Sequence, residues 1–263
     1  MELIKSPGLD RLTTSFYLHF WDILSPELTA IYNYVYNSGE PSLSQRRAVI
    51  NLIFKKGDRT RLSQWRPISL LNSDYKILTK ALANRLTSVL HTIMYTNQTA
   101  CIPSRTINDN TSLIRDAIFY ANDTDTPLAF VSIDQLKAFN RVSRSFLFNS
   151  LAKFGFGPRY IKWIKLLFNN VMSSVKANGW LSAFITLEWG LRQGCPLSAP
   201  LQIITTEMMA THIRANQDIQ GLLPPGSKEE TKLSQYADDT SLLLTEEESV
   251  RHAFLTVQLF YGL

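Results

Sequence analysis

Two aspartates stand side by side at Asp238-Asp239, between the runs Leu233-Ser234-Gln235-Tyr236 and Thr240-Ser241-Leu242-Leu243-Leu244. Both runs favour β structure, so the stretch predicts a β-hairpin with the acidic pair at its tip. Successive strand side chains point to opposite faces, and neighbouring aspartates act together only where the backbone turns and re-aims them. Carboxylates held close repel each other and are kept together mostly by a cation. The cation that suits oxygen ligands beside phosphates is Mg²⁺. Taken alone, the pair is better explained as a solvated acidic turn. A second stretch changes that balance: Ala129-Phe130-Val131-Ser132-Ile133 reads as a buried strand ending at Asp134. If that strand lies beside the hairpin in one sheet, Asp134, Asp238 and Asp239 form a three-carboxylate cage. Such a cage suits two metal ions about 4 Å apart, which clamp the attacking and leaving oxygens of an in-line phosphoryl transfer.

Tyr236-Ala237-Asp238-Asp239, with Asp134 and Lys137-Ala138-Phe139 upstream, resembles the reverse transcriptases, and the wording around it resembles the non-LTR (LINE-type) retrotransposons. The resemblance continues in order through most of the chain. It takes in Lys5-Ser6-Pro7-Gly8, Lys55-Lys56-Gly57-Asp58, Trp65-Arg66-Pro67-Ile68-Ser69-Leu70-Leu71-Asn72, Lys153-Phe154-Gly155-Phe156-Gly157 and Arg192-Gln193-Gly194-Cys195-Pro196-Leu197-Ser198. It implies an α+β, right-hand polymerase fold. Fingers are expected over residues 1–125, and over 126–263 a palm whose antiparallel sheet is backed by helices.

The same resemblance implies an RNA-directed DNA polymerase that joins a dNTP to a primer 3′-hydroxyl on an RNA template, in the service of retrotransposition. Asp134, Asp238 and Asp239 would hold two Mg²⁺ ions, for which Mn²⁺ is a possible substitute. Arg66 and a basic residue at Lys55-Lys56 would contact the triphosphate, as cations on a mobile hairpin neutralise developing charge. Gln193 and Gly194 would lie beside the nucleotide sugar, where a side chain at Gly194 would push the backbone away. Phe139 would exclude ribonucleotides by a clash with the 2′-hydroxyl. The plainer readings are a solvated basic loop for the lysines, with Arg59 and Arg61, and core burial for Phe139.

Composition is compatible with this and does not demand it. The 263 residues are 45% hydrophobic, enough for a substantial core, and 27 basic against 22 acidic residues leave a net charge of +5, which suits a polyanionic partner. Cys101 and Cys195 lack the spacing of a zinc site, and a reduced, intracellular protein follows; the resemblance makes the nucleus its place of action. No apolar run approaches the roughly 20 residues of a membrane span, so no membrane partner is expected.

The elements that must position these residues are read from periodicity. Residues 11–36 predict two helices with a new start at Ser25-Pro26. Ala48 to Phe54 reads as a strand, followed by a basic turn and a returning strand from Trp65. Ser73 to Leu90 predicts a helix whose apolar stripe is Ile77, Leu78, Ala81, Leu82, Leu86 and Val89, opposite Lys76, Lys80 and Arg85. Helices are expected over Asn108–Tyr120, Ser143–Phe154 and Pro158–Asn169, from Ser198 to about Ala215, and over Glu246–Phe260. Two β runs flank the Asn178-Gly179 turn signal.

Some positions depart from the pattern. Asn140 stands where the family has Asp, Gln135 where it has Phe, Ala199-Pro200-Leu201-Gln202 where it has Pro-Leu-Leu-Phe, and Ala100 and Ser104 replace glycines of a Gln-Thr-Gly-Phe-Ile-Pro-Gly-Arg turn, so positive φ there would be strained. Relatives also continue past a Gly-Leu like Gly262-Leu263 into a thumb and carry an endonuclease, so a fragment with the thumb absent is expected. The rival reading is a truncated, decayed copy without catalysis, at most a nucleic-acid-binding module.

Overall fold

The structure, a computed structural model, describes residues 6–261. Lys5, Gly262 and Leu263, cited among the resembling stretches, lie outside the described residues. In chain order come the helices α1 (Thr14–His19), α2 (Trp21–Ser38) and α3 (Leu43–Arg46), then strands β1 (Arg47–Phe54) and β2 (Trp65–Leu71). Helices α4 (Ser73–Ile93) and α5 (Ile107–Asp123) lead to strand β3 (Ala129–Ile133) and to helices α6 (Ala138–Arg141), α7 (Arg144–Lys153) and α8 (Pro158–Phe168). Strands β4 (Met172–Ala177), β5 (Trp180–Leu181) and β6 (Ile185–Thr186) precede helix α9 (Ser198–Ala215). Strands β7 (Leu233–Tyr236) and β8 (Asp239–Leu244) and helix α10 (Glu247–Tyr261) follow. Two compact units result. One joins Met1–Arg85 to Phe139–Ser198, and the other joins Leu86–Ala138 to Ala199–Leu263.

In the first unit, β1 pairs antiparallel with β2 from Ala48↔Leu71 to Phe54↔Trp65, and parallel with β4 from Arg47↔Met172 to Asn51↔Lys176. Asn178 and Gly179 both have positive φ, 50° and 85°, which is the signature of a type I′ turn and lets β5 return antiparallel on β4. The predicted helix start at Ser25-Pro26 is not where the chain breaks. Phe20 (φ −104°, ψ 23°) separates α1 from α2, and Pro26 sits inside α2. Proline deletes the bond to the Asp22 carbonyl, but Asp22 and Pro26 are both exposed, so water takes its place.

The stripe on α4 is turned from the predicted one. Tyr75, Thr79, Leu82, Leu86 and Leu90 are buried, whereas Val89 is 39% exposed and Lys76 is buried. Hydrogen bonding makes that possible. Within the first unit, the Tyr75 hydroxyl donates to the Leu167 carbonyl at 3.2 Å, the Thr79 hydroxyl to that of Tyr75 at 2.9 Å and the Lys76 ammonium to that of Ser6 at 3.0 Å. Buried Arg192 lies 4.3 Å from the centre of the Tyr75 ring.

The second unit is built on an antiparallel sheet ordered β3-β8-β7. Its central strand is β8, which explains three successive leucines. Leu242 and Leu244 face a cluster with Met209, Ala210 and Ile213 of α9 and Ala253 and Val257 of α10. Leu243 points the other way, toward Ala117 of α5 and Leu222, with Leu113 and Tyr120 packed alongside. Helices therefore cover both faces, and the middle strand reads as a continuous apolar run. β3 is an edge strand with Phe130 and Ser132 exposed and Val131 and Ile133 packed inward, so it is half-buried, not the fully buried strand expected.

Because Leu242 and Leu243 are both fully buried on opposite faces, Leu242→Ala and Leu243→Ala are each expected to cost about 2–5 kcal/mol. Chemical denaturation of the whole chain measures this; a loss under about 0.5 kcal/mol, as at an ordinary surface position, would contradict the sandwich.

Candidate active site

All three aspartates belong to the second unit. Ile133 of β3 pairs with Thr240 of β8, and Tyr236 of β7 pairs with Asp239. The first register ends at Ile133↔Thr240, one residue short of Asp134 and Asp239, so both lie at the same end of the sheet. The hairpin loop is the two residues Ala237 and Asp238, and Ala237 has φ 57°. Positive φ at the first residue of so tight a loop is normally given to glycine.

Asp134 and Asp239 are exposed and Asp238 is half-buried. Burial pushes the Asp238 carboxyl above its usual range, and the charges of Asp239 and Asp134 push it the same way. Among the described residues no three His, Cys, Asp or Glu side chains stand so as to hold a metal ion. The donor set nevertheless has the chemistry of a hard-cation site: oxygens only, and a mutual repulsion that a divalent cation would relieve.

The other predicted residues lie in the first unit. Lys55 and Lys56 are exposed in the loop joining β1 to β2, whose neck is closed by the Lys55 amide donating to the Gln64 carbonyl at 2.9 Å. Arg66 is exposed on β2, opposite Ile53. Among the described residues none of these three cations is in an ion pair, while two neighbours are engaged: Arg59 sits 4.9 Å from the Phe54 ring centre and Arg61 pairs with Asp58 at 3.7 Å.

Gln193 lines a cavity of about 430 Å³ with Ile50, Pro67, Ser69, Asn140 and Trp189. Gly194 has φ 113°, and a Cβ there would stand 2.6 Å from the Ser69 carbonyl oxygen. The glycine is thus required by the approach of β2, with the Ser69 amide donating to the Gln193 carbonyl at 2.6 Å. Half-buried Phe139 is held by its backbone, its carbonyl accepting from the Leu191 amide at 2.7 Å.

Sequence reasoning picked out the turn that holds Ala100 and Ser104 by resemblance but not its place behind the hairpin. Asn97 and Thr99 exchange backbone bonds with Gln235, making this segment a parallel neighbour of β7 at Gln98↔Gln235. Arg105 holds the segment in turn, donating to the carbonyls of Tyr95 at 2.6 Å and Gln98 at 2.8 Å. Of the two positions where glycines are usual, Ser104 does adopt positive φ, at 67°; at the other, the strain falls on Cys101, at 57°, not on Ala100. No compositional signal marks this support, since Gln98 stands among Thr96, Asn97 and Thr99, as polar as an ordinary surface turn.

Residues 53–261 match the family described as reverse transcriptase (RNA-dependent DNA polymerase). The chain is similar, at 41% identity over 91% of its length, to the "Transposon TX1 uncharacterized 149 kDa protein" of Xenopus laevis, of which it covers 18%. It is 28% identical, over 72% of its length, to a Pol polyprotein from the retrotransposable element R2 of Bradysia coprophila, of which it covers 21%. It thus spans about a fifth of these relatives. Among solved structures, apo telomerase from Candida tropicalis shares the fold, with TM-score 0.58 at 14% identity over 99% of this chain and 50% of that one. Telomerase from the same organism in complex with a fragment of telomeric RNA aligns with TM-score 0.58 at 15% identity, over 97% of this chain and 45% of that one.

Two outcomes follow from this geometry. A carboxyl whose folded pKa is raised costs stability above that pKa and nothing below its unfolded value. Asp238→Asn is therefore expected to raise the melting temperature at pH 7 without divalent ions, and the gain is expected to shrink toward pH 3; a gain equal at both pH values would contradict the repulsion. Gly194→Ala is expected to lose about 1–3 kcal/mol by denaturant titration, from left-handed strain and the clash with Ser69.

Proposed function

We propose, from the premise that the chain belongs to the reverse transcriptase (RNA-dependent DNA polymerase) family, that it is the polymerase domain of a non-LTR retrotransposon product and copies RNA into DNA. The observation that supports this reading is the pairing of Ile133 with Thr240, which brings the residues following β3 and preceding Thr240 to one end of the sheet, together with the Asp238 carboxyl raised by burial and then by the charges of Asp239 and Asp134. Asp134, Asp238 and Asp239 would hold two Mg²⁺ ions, with Mn²⁺ as substitute. Such ions, when bound, supply the positive charge that lowers the pKa of a primer 3′-hydroxyl and offsets the charge of departing pyrophosphate.

The chain's own groups divide the remaining work. Arg66, with Lys55 and Lys56, neutralises the triphosphate, a role open to them because no carboxylate among the described residues occupies them. Gln193 and Gly194 lie at the sugar, and the Phe139 ring rejects a 2′-hydroxyl. Fingers are assigned to residues 1–125 and palm to 126–263, with the boundary in the turn-rich connection from Ala121 to Pro127. The partners in this reading are an RNA template, a DNA primer and dNTPs; the description of the matching family, RNA-dependent DNA polymerase, supports the first. Among the described residues no helix is long and apolar enough to cross a membrane. Action in the nucleus, alongside endonuclease and thumb segments elsewhere in the element's product, belongs to the same reading.

Primer extension on an RNA template with Mg²⁺ tests it. The unaltered chain is expected to extend and Asp238→Asn to fall to background; equal signals from both would remove the enzymatic reading. Salt-sensitive RNA binding without extension would favour the binding-module reading. Arg66→Ala is expected to raise the nucleotide KM roughly tenfold or more, a charge-assisted hydrogen bond contributing about 1.5–3 kcal/mol.

A further inference from the structure

Ala237 adopts φ 57°, a conformation that a side chain disfavours, at the turn that aims Asp238 and Asp239. Something must hold it there, because an alanine left to itself returns to the ordinary regions of φ and ψ. The Gln98 side chain meets both ends of that residue. Its Oε1 accepts from the Ala237 amide at 3.1 Å, and its Nε2 donates to the Ala237 carbonyl at 3.3 Å. Oε1 also accepts from the Ala100 amide at 3.1 Å, so two N–H groups fix which way the carboxamide faces. Gln98 is completely buried, and water does not compete for these bonds. The Thr206 hydroxyl adds a weaker bond to the Ala237 carbonyl at 3.4 Å.

We propose that Gln98 is a positioning residue for the carboxylate hairpin: its carboxamide clamps the Ala237 backbone in the left-handed conformation that sets the direction of Asp238 and Asp239. The proposal rests on the polymerase reading for its consequence, and on the hydrogen bonds alone for its mechanism. Leucine at 98 keeps the volume and loses both halves of the clamp. Glutamate keeps the acceptor and, when ionised, loses the donor to the Ala237 carbonyl and puts a charge at a completely buried position. Glycine at 237 adopts positive φ without strain and has less need of the clamp.

The test compares the whole chain with Gln98→Leu, Gln98→Glu and the double variant Gln98→Leu/Ala237→Gly. Amide hydrogen exchange is read by NMR, and primer extension is run alongside. In Gln98→Leu the Ala237 amide is expected to exchange about tenfold faster or more, with the amides of β3 unchanged. Its kcat is expected to fall roughly 10- to 100-fold with nucleotide KM within about twofold, the pattern of misaimed groups and not of lost binding. Ala237→Gly is expected to restore part of that kcat, which a general loss of packing would not allow. Unchanged exchange at Ala237 overturns the proposal, as does a Gln98→Leu defect shared evenly by kcat, KM and the β3 amides. Should Gln98→Leu fail to fold, Ala237 exchange in Gln98→Glu decides in the same way. A chain that extends no primer sinks the polymerase reading and leaves the exchange result to judge the clamp by itself.

Discussion

Like charges do not stay together without help, and the second unit holds three of them at one end of one sheet. The repulsion is visible at Asp238, whose carboxyl is driven up by burial and by its two neighbours. What opposes it is not local. β8 is gripped on both faces, by Leu242 and Leu244 on one side and Leu243 on the other, so the strand that begins at Asp239 cannot slide or splay without opening two apolar clusters. A one-residue slip would exchange those faces. Burial of leucines thus fixes the position of groups that would otherwise move apart.

The first unit meets a different constraint, the close approach of backbones. Gly194 lies against Ser69, and the Cβ of any residue at Gly190 would fall 2.8–2.9 Å from backbone oxygens of Asn140 and Phe139. The segment from Gly190 to Gly194 is therefore fastened at two places by glycines that leave no room for a side chain. Arg192 between them is buried, stacked on Tyr75 and bonded to the carbonyls of Arg46 and Leu167 at 3.4 and 3.5 Å. A cation so engaged serves packing, unlike exposed Arg66.

Much of this is legible in the sequence, for reasons that differ by element. The hairpin from Leu233 to Leu244 is readable because an acidic pair between two β-favouring runs has few other solutions. The bounds of α8 are readable because Pro158 and the apolar spacing agree. The orientation of α4 is not readable, since Tyr75 and Lys76 are buried through hydrogen bonds to residues far away in the chain and Thr79 through one to the preceding turn, and periodicity weighs hydrophobicity alone. The placing of β3 at an edge is likewise a property of strand order, which Ala129–Ile133 by itself does not encode. Gln98 is hidden for the same reason: its partner is a backbone far along the chain, and no spacing rule connects them.

One outer strand of each sheet, β2 in the first and β7 in the second, shares a further property. At β2, the Ser69 amide is taken by Gln193 and the neighbouring carbonyl is covered by Gly194; at β7, the segment Asn97–Thr99 occupies the outward groups of Gln235. Backbone that is already bonded offers no template to an incoming strand. At these two borders the backbone is thereby closed to edge-to-edge pairing with another copy.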